Sequence, residues 1–212
     1  MKIALVTDTH FGARNDHDHF NNYFYEFYDN IFFPYLKEHN IDTCIHLGDV
    51  MDRRKFVSYK TAKDFREKFC ETFVTNDINV HMIVGNHDTY FKNTNDVNSL
   101  DELIGSRYEN IKIYRETETV DFDIPICFIP WINSTNEKQT VEHINKTNAT
   151  VAMGHLEIKG FEMHHGFPSE TGMEKSAFNK FDMVMSGHFH KKSDDGHISV
   201  SYTHLRAHET KK

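Results

Sequence analysis

Residues Gly85 to Asp88 read GNHD and stand directly after the apolar run Val80 to Val84 (VHMIV). A short apolar run that stops at a glycine and three polar residues is a buried strand delivering side chains to a loop. At ordinary residue frequencies the tetrapeptide arises by accident in roughly one chain per thousand of this length. Working outward, the same design recurs four times. Lys2 to Thr7 (KIALVT) ends in Asp8-Thr9-His10, and Asp42 to Leu47 (DTCIHL) ends in Gly48-Asp49-Val50-Met51-Asp52. Thr150 to Met153 ends in Gly154-His155, and Asp182 to Met185 runs through Ser186 into Gly187-His188-Phe189-His190.

Between these runs lie helical patterns. Asp16 to His39 carries Phe20, Phe24, Phe27, Ile31 and Tyr35 at helical spacing, with Pro34 expected to kink or divide it. Tyr59 to Thr75 places Phe65, Phe69 and Phe73 on one face. Further helices are expected at Val97 to Ile104 and Glu137 to Asn145, and strands at Ile111 to Tyr114, Thr119 to Phe122 and Ile126 to Ile129. Short strands alternating with helices predict an α/β fold in layers, its sheet covered by helices. Ligands in such folds collect at the carboxyl ends of the strands, so all five polar clusters should meet at one edge.

A chain of 212 residues fits one large domain. With 24 Lys and Arg against 32 Asp and Glu, its formal charge of −8 argues against binding nucleic acid through a broad basic surface. It leaves room for an enzyme that reaches phosphodiesters through bound metal. No apolar run approaches the ~18 residues of a membrane span, and the start MKIALVTDTHFG is not a signal peptide. Cys44, Cys70 and Cys127 share no CxxC spacing, which fits a reducing compartment and disfavours thiolate zinc sites. The sixteen histidines are the outlier. The clusters offer oxygen and nitrogen but no sulfur, a donor set suited to Mn²⁺, Fe²⁺ or Zn²⁺. Asp8 and His10, like His188 and His190, are two residues apart, so on extended backbone each pair projects to one side.

The order DxH, GDxxD, GNHD, GH, GHxH resembles the calcineurin-like metallophosphoesterase superfamily. Within it the chain is similar to SbcD-type nuclease subunits, and to the recombination endonuclease subunits of large tailed phages. The motifs behind that finer likeness are DTHFG (8–12), GDVMDRRK (48–55), VGNHDTYFKN (84–93), TVDFD (119–123), IPW (129–131), GHLEIKGF (154–161) and SGHFH (186–190). The likeness implies a metallophosphoesterase-type fold, a central β-sandwich of mixed sheets flanked by helices. It also implies two divalent ions, with Mn²⁺ the first choice. Asp8, His10, Asp49 and His190 would hold one; Asp49, Asn86, His155 and His188 would hold the other. His87 would act as a phosphate-binding general acid, and Asp52 would accept a hydrogen bond from it and fix its tautomer.

The implied activity is metal-dependent hydrolysis of DNA phosphodiesters in recombination and end processing, in a bacterial or phage-infected cytoplasm. DNA, an SbcC-like coiled-coil ATPase and a second copy of the chain are the implied partners. The alternative is a stand-alone phosphoprotein phosphatase or nucleotide phosphodiesterase. Arg54 is a candidate for substrate phosphate, as is Arg53; His17 and His19 read as surface residues. Trp131 reads as a packing anchor ahead of a base-stacking residue, and Met163-His164-His165 as a lid or substrate-facing loop. The nuclease domain is expected over residues 1–198. Residues 199–212 (VSYTHLRAHETKK follows Ser199) read as an atypical tail, a truncation or foreign end, with the capping and ATPase-docking regions absent.

Overall fold

The computed structural model describes residues 1–164, 167–189 and 193–200. The first four strands are β1 (Ala4–Val6), β2 (Thr43–His46), β3 (Asn79–Ile83) and β4 (Ile111–Tyr114), paired in that order into a wholly parallel sheet. Then come β5 (Glu118–Asp121), β6 (Pro125–Ile129), β7 (Val151–Gly154), β8 (Glu162–His164), β9 (Phe167–Pro168), β10 (Met183–Ser186), β11 (Ser193–Asp194) and β12 (Ile198–Val200). Six of them form a second sheet in the order β11-β12-β10-β7-β6-β5. Its four middle strands are parallel, and β5 and β11 are antiparallel edges. The mixed character expected of the sandwich therefore belongs to the second sheet alone. Met163 and His164, expected in a lid or substrate-facing loop, belong to a small hairpin, β8 against β9, and His165 lies outside the described residues. Strand β12 carries the second sheet to Val200, two residues past the expected boundary at 198, and residues 201–212 lie outside the description.

Three hydrophobic layers hold this together. Between the sheets lie Ile45, Leu47, Ile83 and Tyr114 from the first, against Ile126, Phe128 and Met153 from the second. On the outer face of the first sheet, Cys44, Val80 and Met82 pack under an aromatic layer from two long helical segments. On the outer face of the second, Cys127, Ala152 and Val184 meet Ile144 of helix Glu137–Lys146, together with Phe178 and Phe181. Strand β2 is buried on both faces, Thr43 and His46 as well as Cys44 and Ile45.

The aromatic layer comes from helical spacing. The first segment runs Asp18–Phe27, through a π-turn at Tyr28–Phe32, into Phe33–Glu38. Pro34 sits in the first turn of the last piece, where its missing N–H costs little. The second runs Tyr59–Asp64, a π-turn Phe65–Cys70, and Glu71–Thr75, started by Ser58, whose hydroxyl accepts from the Thr61 N–H at 3.1 Å. The first helix begins at Asp18 rather than Asp16 because Arg14, Asn15 and Asp16 are all left-handed, with φ of 54°, 64° and 59°. The Asp16 carboxylate turns away to pair with Arg53 and to accept from Thr61 and Ser58, which ties this loop to the second segment.

Phe69 is the hub of the layer. Its ring lies 4.9–6.3 Å from those of Phe11, Tyr28, Phe33, Phe65 and Phe73, and it is 1% exposed. Phe69→Ala should cost ~3–5 kcal/mol, the usual loss for a buried phenylalanine. Urea unfolding of the metal-free protein checks this; a loss below ~1 kcal/mol would show that the layer closes over the gap.

Candidate metal centre

Three clusters follow β1, β2 and β3, which run parallel in the first sheet, and two follow β7 and β10, which run parallel in the second. Pairing continues past the strand ends and draws the loops together. Asp8 N–H donates to the Gly48 carbonyl at 3.0 Å, and His10 N–H to the Asp49 carbonyl at 3.1 Å. The two sheets meet here as well. A Cβ on Gly187 would lie 2.1 Å from Thr7 Oγ1, and one on Gly48, at φ 99°, only 2.5 Å from His155 Nδ1. Neither position has room for any side chain.

Asp8, His10, Asp49, Asn86, His155 and His188 are all buried at this edge. Asp49 belongs to two compact groups, one with His10 and His87 and one with His155 and His188. Its Oδ1 accepts the His87 N–H at 2.7 Å, and its Oδ2 lies 3.3 Å from His155 Nε2 and 3.9 Å from His10 Nε2. Asn86 Oδ1 stands 2.9 Å from both His155 Nε2 and His188 Nδ1. Asp8 receives the His188 N–H at 3.3 Å and the Thr7 hydroxyl at 2.5 Å. His190 lies outside the described residues.

The electrostatics explain what such a site lacks. Asp8, Asp49 and Asp88 are at most 1% exposed, and no lysine or arginine is buried among the described residues. Burial pushes the Asp8 carboxyl up to about 7, against the pull of His155. At Asp49 burial also opposes charge, but His155 outweighs it and holds the carboxyl below its usual range. Burial disfavours charge on His155 too, and Asp49 reverses that, raising the imidazole well above the ordinary histidine value. The hydrogen bonds agree: His155 Nδ1 donates to the Leu47 carbonyl at 2.8 Å while Nε2 donates toward Asn86 and Asp49, so both nitrogens carry protons. A divalent cation fits this donor set, replacing the Nε2 proton while Leu47 keeps the ring oriented.

His87 and Asp52 are brought together, but through the main chain. His87 Nδ1 donates to the Asp52 carbonyl oxygen at 2.5 Å, whereas the Asp52 carboxylate lies 3.7 Å from His10 Nδ1. Asp52 thus stands where it accepts a hydrogen bond from His87, through its carbonyl oxygen, while its carboxylate also approaches His10. Arg54 is half-buried beside the centre and donates to Thr89 Oγ1 at 2.9 Å. Arg53 is engaged by Asp16, and His17 and His19 are exposed.

Two buried groups have no part in the sequence-based expectations. Asp88 accepts the Met51 and Gly85 N–H groups, both at 2.9 Å, and so joins the Gly-Asp and Gly-Asn-His-Asp loops. His46, fully buried on β2, accepts the Gly48 N–H at Nδ1 (3.2 Å) and meets Thr9 Oγ1 at Nε2 (3.0 Å). It therefore pins the loops of Asp8 and Asp49 to each other. Its signal in the sequence is a histidine inside the otherwise apolar β2 run.

The sequence profile of the calcineurin-like phosphoesterases matches residues 1–192. The chain belongs to that family. Over 199 residues it is 34% identical to exonuclease subunit 1 of Enterobacteria phage T4, covering 93% of this chain. The chain spans 58% of that relative's length. Among solved structures, GAP50, described as the anchor in the inner membrane complex of Plasmodium, is 12% identical with a TM-score of 0.52, covering 93% of this chain and 70% of that one. An archaeal phosphodiesterase is 18% identical with a TM-score of 0.42, covering 95% and 84%. Family members depend on divalent metal, in keeping with the donor set described above. None of the described helices is long and apolar enough to cross a membrane.

His46 makes a pH-dependent prediction. Burial holds its pKa down at about 3, so the folded protein refuses a proton that the unfolded chain accepts below 6.5. The stability it contributes is present above that pH and is lost at about 1.4 kcal/mol per pH unit as pH falls toward 3. His46→Gln should destabilise by ~1–3 kcal/mol at pH 7.5, and the gap from wild type should narrow at pH 5. Urea unfolding of both proteins without metal measures this; a gap independent of pH would mean that His46 is not buried neutral.

Proposed function

We propose that the chain is the catalytic domain of a metal-dependent DNA nuclease, with two divalent ions, Mn²⁺ foremost, held on either side of Asp49. The observation that carries the reading is that Asp49 is shared by two compact groups of ligands. The likeness to a phage exonuclease subunit supports DNA as the substrate. Asp8, His10, Asp49 and His190 are assigned to one ion, and Asp49, Asn86, His155 and His188 to the other. When bound, such ions supply Lewis acidity and activate water for attack on phosphorus.

The protein's own groups do the rest. The Asp52 carboxylate favours a proton on His10 Nδ1, leaving Nε2, which faces Asp8 and Asp49 at 3.9 Å, for metal. The Asp52 carbonyl keeps the proton on His87 Nδ1, so Nε2 is the nitrogen that exchanges a proton with the leaving oxygen. Arg54, fixed by Thr89, offers its guanidinium to a phosphoryl oxygen. A coiled-coil ATPase subunit and a second copy of the chain complete the proposed assembly, which works in the cytoplasm on DNA ends.

Calorimetry with Mn²⁺ should find two ions per chain, both lost in Asp49→Ala, with Asp8→Ala chiefly weakening one; a single ion at saturating Mn²⁺ would sink the two-ion assignment. His87→Gln should keep both ions and lose ~10²–10⁴-fold in rate, the worth of a general acid. If it empties a metal position instead, His87 is a ligand, as its place in the group with His10 and Asp49 allows. Linear duplex DNA, circular single-stranded DNA, a phosphopeptide and a chromogenic phosphodiester, each with Mn²⁺, test the substrate. Turnover of the phosphopeptide with both DNAs untouched would replace the nuclease by a phosphatase.

A further inference from the structure

A cavity of about 270 Å³ opens beside the half of the centre formed by His155 and His188. Trp131 is common to both: it lines the cavity, and its ring lies 5.3 Å from His188 and 6.3 Å from His155. The other walls are Ile132 and Met173, which are apolar, and Ser134, Glu137 and Glu157, which are polar. The volume is below the roughly 300–1,000 Å³ that takes a whole small molecule, but it suits a single flat ring system.

Trp131 is held with unusual firmness for a loop residue. Its N–H donates to the Val84 carbonyl at 2.8 Å, the end of β3, and its carbonyl accepts from the side-chain amides of Asn95 (2.9 Å) and Asn136 (3.0 Å). Asn133 bonds Asn95 in turn at 3.0 Å. This network of main-chain bonds joins the end of the first sheet to the second and fixes the backbone that carries the indole. A rigid aromatic wall loses little entropy when a partner stacks on it.

The chemistry of the walls selects the partner. Among the described residues, two carboxylates and no cation line the cavity, so a phosphate is repelled, while a neutral ring bearing N–H donors is matched. We propose that this cleft is a nucleobase subsite: the base next to the scissile phosphate stacks on Trp131, with its amino group directed to Glu137 or Glu157. The proposal rests on the nuclease reading and adds a preference to it. Adenine, cytosine and guanine carry the exocyclic amine that the carboxylates accept, and thymine does not.

Trp131 is the only tryptophan in the chain, so its emission reports this cleft alone. The Mn²⁺-loaded protein is titrated with dAMP, dCMP, dTMP, deoxyribose 5-phosphate and inorganic phosphate, with binding followed in parallel by calorimetry. The expected result is quenching by dAMP and dCMP, weaker quenching by dTMP, and none by the two compounds without a base. The nucleotides should bind on the order of tenfold more tightly than deoxyribose 5-phosphate, the usual worth of one base on one aromatic ring. Trp131→Leu should erase that advantage. Equal quenching by deoxyribose 5-phosphate, or dAMP binding without quenching, overturns the proposal, as does no binding of dAMP. DNA cleavage that proceeds normally while dAMP leaves the emission unchanged sinks the subsite and spares the nuclease; hydrolysis of the chromogenic ester with no cleavage of DNA sinks the nuclease reading itself.

Discussion

The close approach of loops from two different sheets is the constraint from which the rest of the structure follows. Thr7 and Asp8, at the end of β1, press on Gly187 at the end of β10, and Gly48, after β2, presses on the His155 ring after β7. Residues far apart in sequence can share a bound ion only if their backbones come this near. The inter-sheet layer of Ile45, Leu47, Phe128 and Met153 sets the spacing. Its apolar burial supplies the free energy, at ~25 cal/mol per Å², that holds buried carboxylates in a place they would otherwise leave.

The approach is also purchased with backbone strain. Asp8, His10, Asp49 and His188 all have positive φ, between 45° and 81°. For residues with a Cβ the left-handed region costs roughly 1–2 kcal/mol each. Hydrogen bonds offset the cost where it arises: the His188 N–H meets Asp8, the His87 N–H meets Asp49, and the His10 N–H meets the Asp49 carbonyl. His46 and Asp88 extend the network beneath these residues, tying loop to loop through main-chain N–H groups. Four strained residues on one edge, all in the candidate metal centre, are what a site organised before its substrate arrives should show.

The strand-end clusters were legible in the sequence because each combines two strong signals, an apolar run and an abrupt polar stop. Their convergence followed from the direction of parallel strands. Other features had no local signal. The left-handed turn at Arg14–Asp16 depends on Arg53, Ser58 and Thr61, some forty residues away, so the helical pattern from Asp16 onward concealed it. The π-turns at Tyr28–Phe32 and Phe65–Cys70 preserve the apolar face and leave the pattern almost unchanged. The β8–β9 hairpin is too short to show alternation. At Asp52 the motif named the residue as an acceptor for His87, and the fold makes its carbonyl oxygen that acceptor.

The acidic balance of the chain becomes intelligible at this edge. A protein with formal charge −8 has no general attraction for a polyanion, and most of its surface repels one. The carboxyls of Asp8, Asp49 and Asp88 are buried together with no buried lysine or arginine among the described residues; burial raises Asp8 and Asp88, while His155 holds Asp49 below its usual range. On the proposed reading, divalent cations held by these residues would bring positive charge to this edge. A phosphodiester would then be drawn to one place, while the carboxylates of the neighbouring cleft would turn its phosphates aside and leave room for a base. Metal loading and substrate recognition are on this view a single electrostatic event, because the charge that binds the phosphate is the charge that the folded protein lacks.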